Sequence, residues 1–270
     1  VNILKQNMTQ FKFIFKKHIF KNKKTRYKMK RSHNETGVFN NTRSKKPKLT
    51  LSLDDRKCNK QWISATKTYN YMINDHLIDW FALYAKKERS LSIDMINNNT
   101  NTFNNFIKNK GIKFEKCVID EIKKKFSVVT ISDFYTLDKA NETIQHMKNG
   151  TPIIHSAPIY NNKNNTYGII DLLVRSDYIN KLFNDFQIQN YNIKAPNLDI
   201  DYHYCVIEIK YCSLYLTSDG KHILNSGKIP AYKAQLYIYN EAIANIQGYR
   251  PDHTFILGRR YQYKSKDIVY

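Results

Sequence analysis

Hydrophobic residues in the front part of the folded chain recur at spacings of three and four, which predicts helices. The pattern predicts one helix over 64–86 and a second over 103–126. Gly111 interrupts the second helix. Because glycine weakens a helix by about 1 kcal/mol relative to alanine, its presence indicates a close packing approach at that point.

After residue 126 the pattern changes to short β-branched runs, which predict strands. The predicted strands are 127–131, 152–160, 167–175, 203–211 and 255–257. Two helices are predicted among them, over 137–148 and 229–246, and the second is expected to end at Gly248. Strands and helices in this order predict an α/β fold, in which a sheet is flanked by helices and preceded by a helical N-terminal part.

The charge of the chain is concentrated at its front. Of the 270 residues, 44 are Lys or Arg and 23 are Asp or Glu, for a net charge of +21. Residues 1–50 hold 15 of the basic residues and one acid, so they supply +14 of that excess. This division predicts a basic, flexible tail over 1–60 and a folded domain over 61–270. The excess indicates a polyanionic partner, nucleic acid before an anionic membrane surface.

The densest basic run lies between residues 21 and 31 and is predicted to contact nucleic acid. Its candidate residues are Lys23, Lys24, Arg26, Lys28, Lys30 and Arg31, and Arg175 in the folded part is a further candidate. Such a run is also typical of a nuclear-import signal, and a solvated tail without a dedicated role is the alternative. We expect an intracellular protein, in the nucleus or the cytoplasm.

Composition also excludes some classes. No apolar run approaches the ~18 residues that a membrane-spanning helix needs, so an integral membrane protein is excluded. The four cysteines form no CxxC pair, which excludes a zinc ribbon, and they are too few and too widely spaced for a disulfide scaffold.

The predicted strand over 203–211 carries an acid and a base on one face. Residues i and i+2 of a strand point to the same side, so Glu208 and Lys210 project together, opposite Ile207 and Ile209. Two charges are costly to bury without partners. A surface salt bridge on a half-exposed strand is the simpler interpretation, because this triplet is common.

Asp171 changes that balance, because it is a single carboxylate in an apolar strand. It follows Gly168 by three residues, and a glycine there permits a tight bend or a close backbone approach. An Asp and a Glu on neighbouring strands can share a hard divalent cation such as Mg²⁺. The alternative is a strand-end residue that caps a turn.

Helical positions add two further elements. Gln235 and Tyr239 are four residues apart and share a face of the predicted long helix, where they could orient Lys210 or contact a phosphate. Glu115 is an acid in a mostly apolar helical stretch. Taken alone, each of these is an ordinary helix residue.

In this order and spacing, the four elements resemble the PD-(D/E)XK nuclease superfamily, and in particular its RecB-like branch, which includes CRISPR-associated RecB-like nucleases. The likeness covers residues 62–260. Gly111 to Glu115 is similar to the first motif, and Gly168 to Asp171 to the G-x-x-D motif. Glu208 to Lys210 resembles the E-x-K motif, and Gln235 to Tyr239 the Q-x-x-x-Y motif of this branch.

The resemblance implies a restriction-endonuclease-like core with a central mixed sheet, and metal-dependent cleavage of DNA. It implies Mg²⁺ or Mn²⁺ as the cofactor, with Lys210 assisting the attacking water. A helicase or another replication or repair protein is implied as a possible partner. The implied metal ligands are Glu115, Asp171, Glu208 and the Ile209 carbonyl; the implied catalytic residues are Glu115, Asp171, Glu208, Lys210, Gln235 and Tyr239.

The chain departs from that family in two ways. Phe114 stands where many relatives have a His before the first acid. Some relatives hold an iron–sulfur cluster, but Asp75 stands at the first of those cysteine positions and no cysteine follows Cys212, so no cluster is expected. Three alternatives remain open: a protein of the same fold that binds nucleic acid without cutting it, an RNA-cleaving enzyme, and a basic structural protein in which the motifs coincide by chance.

Overall fold

The computed structural model of the protein describes most of the chain beyond residue 61. The described residues are 62–84, 101–183, 188–218, 222–262, 264–265 and 268–269. The predicted basic tail lies outside them, together with its candidate contacts Lys23, Lys24, Arg26, Lys28, Lys30 and Arg31.

The described elements alternate between helices and strands. The helices are α1 (Tyr69–Met72), α2 (His76–Tyr84), α3 (Asn101–Lys123), α4 (Leu137–Lys148), α5 (Ser176–Leu182) and α6 (Ile229–Gln247), with a 3-10 helix over Ala65–Thr68 before α1. The strands are β1 (Ile63–Ser64), β2 (Val128–Thr130), β3 (Ile153–Asn161), β4 (Thr166–Arg175), β5 (Tyr204–Tyr215), β6 (Phe255–Gln262), β7 (Lys264–Ser265) and β8 (Ile268–Val269). The helices and strands predicted from residue 127 onward are confirmed, and β5 and β6 run further than predicted.

Six strands form one mixed sheet, in which five follow the order β2-β3-β4-β5-β6 and β1 lies off this path. Strands β3, β4 and β5 are antiparallel to their neighbours in turn, whereas β2 is parallel to β3 and β6 is parallel to β5. Strand β1 pairs in parallel with the first two residues of β4. The prediction of an α/β fold with a central mixed sheet flanked by helices is confirmed.

Each face of the sheet is covered by helices through its own hydrophobic cluster. In the first cluster, Met147 of α4 and Leu236 of α6 pack with Val206 of β5. In the second cluster, Ile119 of α3 packs with Leu172 of β4 on the opposite face. Burying such a side chain fully contributes about 1.5–3 kcal/mol, so the two clusters fix α3 and α6 on opposite sides of the central strands.

The first predicted helix, over 64–86, is wrong as a single element. The chain forms β1, the 3-10 helix and α1, turns at Asn74, and only then begins α2. Asn74 has a positive φ of 60°, which a helix interior does not tolerate. The side chain of Asn70 donates to Asp79 at 2.8 Å across this turn, which holds the two short helices together.

The central strands β4 and β5 pair over four residues and then separate. Their register runs from Arg175 opposite Tyr204 to Leu172 opposite Ile207. Beyond that point the amino-terminal part of β4 pairs with β1, while β5 continues along β6. The next residue on each strand is Asp171 on β4 and Glu208 on β5, so the fork in the sheet brings these two acids to one place.

Tyr239 of α6 packs into the space that Gly168 leaves on β4. A Cβ atom at position 168 would lie 2.6 Å from Cε1 of Tyr239 and 3.0 Å from its hydroxyl oxygen. The close backbone approach predicted at Gly168 is confirmed, and α6 lies near the fork because of it.

Gly168→Ala should lower the free energy of unfolding by about 1–3 kcal/mol, because the added methyl group overpacks the contact with Tyr239. Urea unfolding measures the change. Gly111→Ala is the matched control, since a Cβ there meets no atom of the described residues within 4 Å, and it should raise stability by up to about 1 kcal/mol. Equal stabilities of the wild-type protein and Gly168→Ala would contradict this account of the packing.

Candidate active site

The carboxylate of Asp171 holds the fork between β4 and β5. Its Oδ2 atom accepts a hydrogen bond of 2.6 Å from the backbone N–H of Ile209. A side-chain carboxylate therefore accepts the hydrogen bond of the Ile209 amide at the point where the β4–β5 ladder has ended. The side chain of Ile209 belongs to the second cluster, on the face opposite Glu208.

Glu208 is the most deeply buried acid of the site, with 1% of its surface exposed. Lys210 Nζ donates to its Oε1 atom, as the same-face prediction for the two residues requires. Gln235 Nε2 donates to the same oxygen at 2.7 Å and to the hydroxyl of Tyr239 at 3.0 Å. The side chains of Gln235 and Tyr239, one turn apart on α6, thus form a chain of hydrogen bonds that ends on Glu208.

The second carboxylate oxygen of Glu208 has no hydrogen-bond partner among the described residues, although it is buried. An unpaired buried oxygen of this kind costs about 1–3 kcal/mol, and more when it is charged. A cation bound at this oxygen would remove that cost.

Glu115 reaches the site from α3 through a histidine. The Nε2 atom of His155, on β3, lies 3.1 Å from Glu115 Oε1, and its Nδ1 atom lies 3.1 Å from the hydroxyl of Thr130 on β2. With Nε2 protonated, the neutral ring donates to Glu115 and accepts from Thr130. The partner of His155 is therefore one of the candidate site acids.

The strand β3 carries a backbone irregularity beside Asp171. Ser156 is buried and has a φ of 48°, a value that non-glycine residues rarely adopt. Its hydroxyl donates to Asp133 at 3.0 Å. The ladder between β3 and β4 omits the pair of Ser156 with Asp171. At this point the regular alternation of side chains between the two faces of the sheet is interrupted in both strands.

The side chains on either side confirm this change of facing. Ile170 lies in the first cluster and Leu172 in the second, although residues two apart in a regular strand share a face. Asp171 therefore lies at the crossover between the two faces, where it can reach Ile209 while Glu208 and Glu115 come from opposite sides. Strain of this kind is concentrated at functional sites.

The three acids repel one another. Burial raises the pKa of Glu208 to about 8, and the charge of Asp171 adds to the shift while Lys210 opposes it. Burial likewise raises the pKa of Asp171 to about 6, with Lys210 opposing and Glu115 adding. Burial disfavours the charged form of Lys210, but the attraction of Glu208 and Asp171 outweighs it, so the pKa of Lys210 is raised.

This donor set suits a hard divalent cation. Carboxylate oxygens are the ligands that Mg²⁺ prefers, and a cation would offset the repulsion among Asp171, Glu208 and Glu115. Across the described ranges, however, no three His, Cys, Asp or Glu side chains are already gathered as a ligand group. The chemistry of the donors therefore fits the metal, and the ligand set is not preassembled.

Arg175 occupies a different part of the structure. Its guanidinium donates twice to Asp177, at 3.0 Å each, and once to the Gly150 carbonyl at 2.9 Å. It also stacks on the ring of Tyr202, 3.7 Å from the centroid. These contacts engage Arg175 within the protein, and its predicted contact with nucleic acid stays a prediction.

The stability of the metal-free protein should fall as the pH rises from about 4.5 to about 8. The folded-state pKa of Glu208 is about 8, against an ordinary 4.5, so the folded protein binds more protons than the unfolded chain across this window. Such a carboxyl contributes stability below its ordinary pKa and loses it as the pH passes through the folded-state pKa.

Thermal unfolding in chelator, from about pH 5 to about pH 8.5, measures this loss. Glu208→Gln should flatten the decline, whereas Glu142→Gln, at an exposed ion pair with Lys139, should leave it unchanged. A decline of equal steepness in the wild-type protein and in Glu208→Gln would show that Glu208 is not its source.

No family model, no curated protein and no solved structure matches this chain. The likeness to PD-(D/E)XK nucleases therefore depends on this chain's own residues. In the part of the chain that the structure describes, every helix is too short or too polar to span a bilayer.

Proposed function

We propose that the protein is a metal-dependent DNA nuclease of the PD-(D/E)XK type, with a restriction-endonuclease-like core. The observation that carries the proposal is the fork between β4 and β5, where Asp171 and Glu208 leave the ladder together and Lys210 lies on the same face as Glu208. Asp171 pairs a backbone amide, but Glu208 is buried beside it, and apolar residues in the place of a buried charged group are often no less stable.

Asp171, Glu208 and the Ile209 carbonyl would hold Mg²⁺ or Mn²⁺, with Glu115 as a further ligand. When bound, the cation lowers the pKa of a coordinated water and stabilises negative charge on a phosphate. The hydrogen bond from the Ile209 amide fixes one oxygen of Asp171. The orphaned oxygen of Glu208 is the second donor that the site keeps available.

Lys210 would act on the attacking water or on the phosphate. Its ammonium group is held by Glu208, and 22% of the side chain is exposed, so it faces the solvent side of the buried pair. On the solvent side of Asp171 and Glu208, the Lys210 ammonium can orient or deprotonate the water, or neutralise the charge that develops on the scissile phosphate. Gln235 and Tyr239 keep Glu208 and therefore Lys210 in place.

His155 is a positioning residue for Glu115 in this proposal. It is itself fixed by Thr130 at its other ring nitrogen, so the Glu115 carboxylate is held at a defined point on the edge of the site. Partners that orient a metal-binding carboxylate in this way set its affinity for the ion.

DNA is the proposed substrate, in line with the resemblance, and the net charge of +21 favours a polyanion in general. RNA shares the same phosphate chemistry, and a substrate panel distinguishes the two. A helicase or another replication or repair protein is proposed as a partner on the resemblance alone.

A second candidate is a protein of the same fold that binds nucleic acid without cutting it. The observation that favours it is that Lys210 and Gln235 already occupy one oxygen of Glu208, and the described acids are not gathered as a ligand group. Binding that persists in chelator, with no product in Mg²⁺ or Mn²⁺, would select this candidate.

Asp171→Ala and Lys210→Ala should each lower the cleavage rate by ~10²–10⁴-fold, because each removes a group that acts on the reacting phosphate or water. The measurement is product formation from labelled single- and double-stranded DNA with Mg²⁺, with Mn²⁺ and with chelator. Asp201→Ala and Lys194→Ala are matched controls, since these two residues form an exposed ion pair elsewhere. Cleavage that survives both site substitutions would refute the assignment.

His155→Ala should raise the Mg²⁺ concentration needed for half-maximal cleavage by about 10–100-fold. His155→Gln should recover part of the loss, because its amide can still donate to Glu115. The control is His146→Ala in the last turn of α4. It removes an imidazole ring that is hydrogen-bonded, at 3.1 Å, to the hydroxyl of Thr151 after the helix. A loss in His155→Ala that is the same at all metal concentrations would point to general structural damage instead.

A further inference from the structure

Helix α3 packs on the sheet along only half of its length. Its second half contributes Ile119 and Ile122 to the second cluster, with Val118 packed beside them. In the first half, every residue from 103 to 110 is exposed. Glu115 stands at the boundary between the two halves.

The side of α3 that faces the sheet continues past Glu115 into open space. Glu115, Gly111 and Lys108 follow each other at spacings of four and three, so they share the face that carries Ile119 and Ile122. A Cβ built on Gly111 meets no atom of the described structure within 4 Å. Ile107 and Ile112, on either side of this face, are 40% and 56% exposed. Among the described residues, this face of α3 beside the site acid is therefore uncovered, and we refer to the open space next to it as the cleft.

Among the described residues, none gives Gly111 a packing reason to be glycine. The close approach predicted for it from sequence is not found within that part of the chain. Its φ is not positive, so alanine would fit the backbone and strengthen the helix. Glycine at such a position leaves room for a ligand to approach the backbone of the helix.

The walls of the cleft suit a polyanion with aromatic bases. Residues 101–116 of α3 include four lysines and one acid, Glu115, and of these lysines Lys108 lies on the cleft face. On the sheet side, the ring of Tyr211 lies 5.8 Å from that of Phe114, and the guanidinium of Arg259 lies 5.0 Å above it. Basic groups bind phosphates, and aromatic and guanidinium planes stack on bases.

We infer that the nucleic-acid strand enters the site along this cleft, between the first half of α3 and the Tyr211–Arg259 pair, and that Gly111 is the position that admits its sugar–phosphate backbone. The inference rests on the proposed function, which supplies the direction of the strand: the strand runs toward Glu115. The inference itself states that this surface binds nucleic acid, and such binding can be measured without cleavage.

The test places the same bulky side chain inside and outside the cleft. Gly111→Leu fills the space beside Glu115, and Asn109→Leu adds the same side chain on a different face of the same exposed turn. Binding of a fluorescent DNA oligonucleotide, single-stranded and duplex, is measured in chelator. Gly111→Leu should bind about tenfold more weakly or worse, Asn109→Leu should bind like the wild-type protein, and the melting temperature of Gly111→Leu should be unchanged or higher.

A charge series tests the phosphate contact separately. Lys108 lies on the cleft face, whereas Lys113 lies on the other side of the helix. Lys108→Glu should reduce the slope of log affinity against log salt concentration by about 1, as expected for one lost phosphate contact. Lys113→Glu should change that slope less.

The outcomes separate the inference from the proposed function. If the wild-type protein binds DNA but cuts nothing in Mg²⁺ or Mn²⁺, the nuclease proposal fails. The binding affinity of Gly111→Leu still tests whether the strand lies in the cleft. If Gly111→Leu binds as tightly as the wild-type protein, the inference is overturned whatever the cleavage result. A change of oligomeric state in Gly111→Leu would also overturn the inference, since a second copy would then occupy the cleft. The inference would be overturned too if the wild-type protein bound no DNA.

Discussion

The hydrogen bond from the Ile209 amide to the Asp171 carboxylate closes the fork between the two central strands. Strands that separate inside a sheet leave backbone groups without partners, and a buried amide without a partner is costly. One oxygen of Asp171 accepts the hydrogen bond that the Ile209 amide would otherwise lack. The same contact places a negative charge near Glu208, so pairing the amide brings two carboxylates together that repel each other.

The rest of the site offsets that electrostatic cost in part. Lys210 and Gln235 both donate to one oxygen of Glu208, and Tyr239 holds Gln235 from the next turn of α6. Gly168 lets α6 come close enough for this to happen. One oxygen of Glu208 is nevertheless left alone among the described residues, and the pKa of the acid is raised. Replacing buried charged groups by well-packed apolar residues is often neutral or stabilising, so the stability of the fold does not require this arrangement.

Periodicity was sufficient to predict strands β2 to β6 and helices α4 and α6, because β-branched runs and a capped helix are local signals, but it did not predict α5, β7 or β8. It also placed Glu208 and Lys210 on one face, since that depends only on strand geometry. It could not predict the break at Asn74, which depends on a side-chain contact between Asn70 and Asp79. An apolar stripe alone does not record such a turn.

The parts of the site that sequence did not reveal depend on three-dimensional placement. Ser156 has a backbone conformation that its residue type does not suggest, and it changes the facing of β3 beside Asp171. His155 is forty residues from Glu115 in the chain, so no local pattern links them. The sequence around Gly111 is the same whether a neighbour fills its space or not, and only the fold shows that no described residue fills it.

The half-supported helix α3 has a consequence for the thermodynamics of binding. Its first half relies on its own hydrogen bonds, contains a glycine, and is shorter than the ~12–15 residues that a helix needs to persist alone in water. That half can open locally at little free-energy cost, independently of the rest of the fold. A ligand in the cleft must first hold this segment in its helical form, so part of the interaction energy is spent on ordering it, and amide hydrogen exchange over residues 103–113 would slow when the ligand binds.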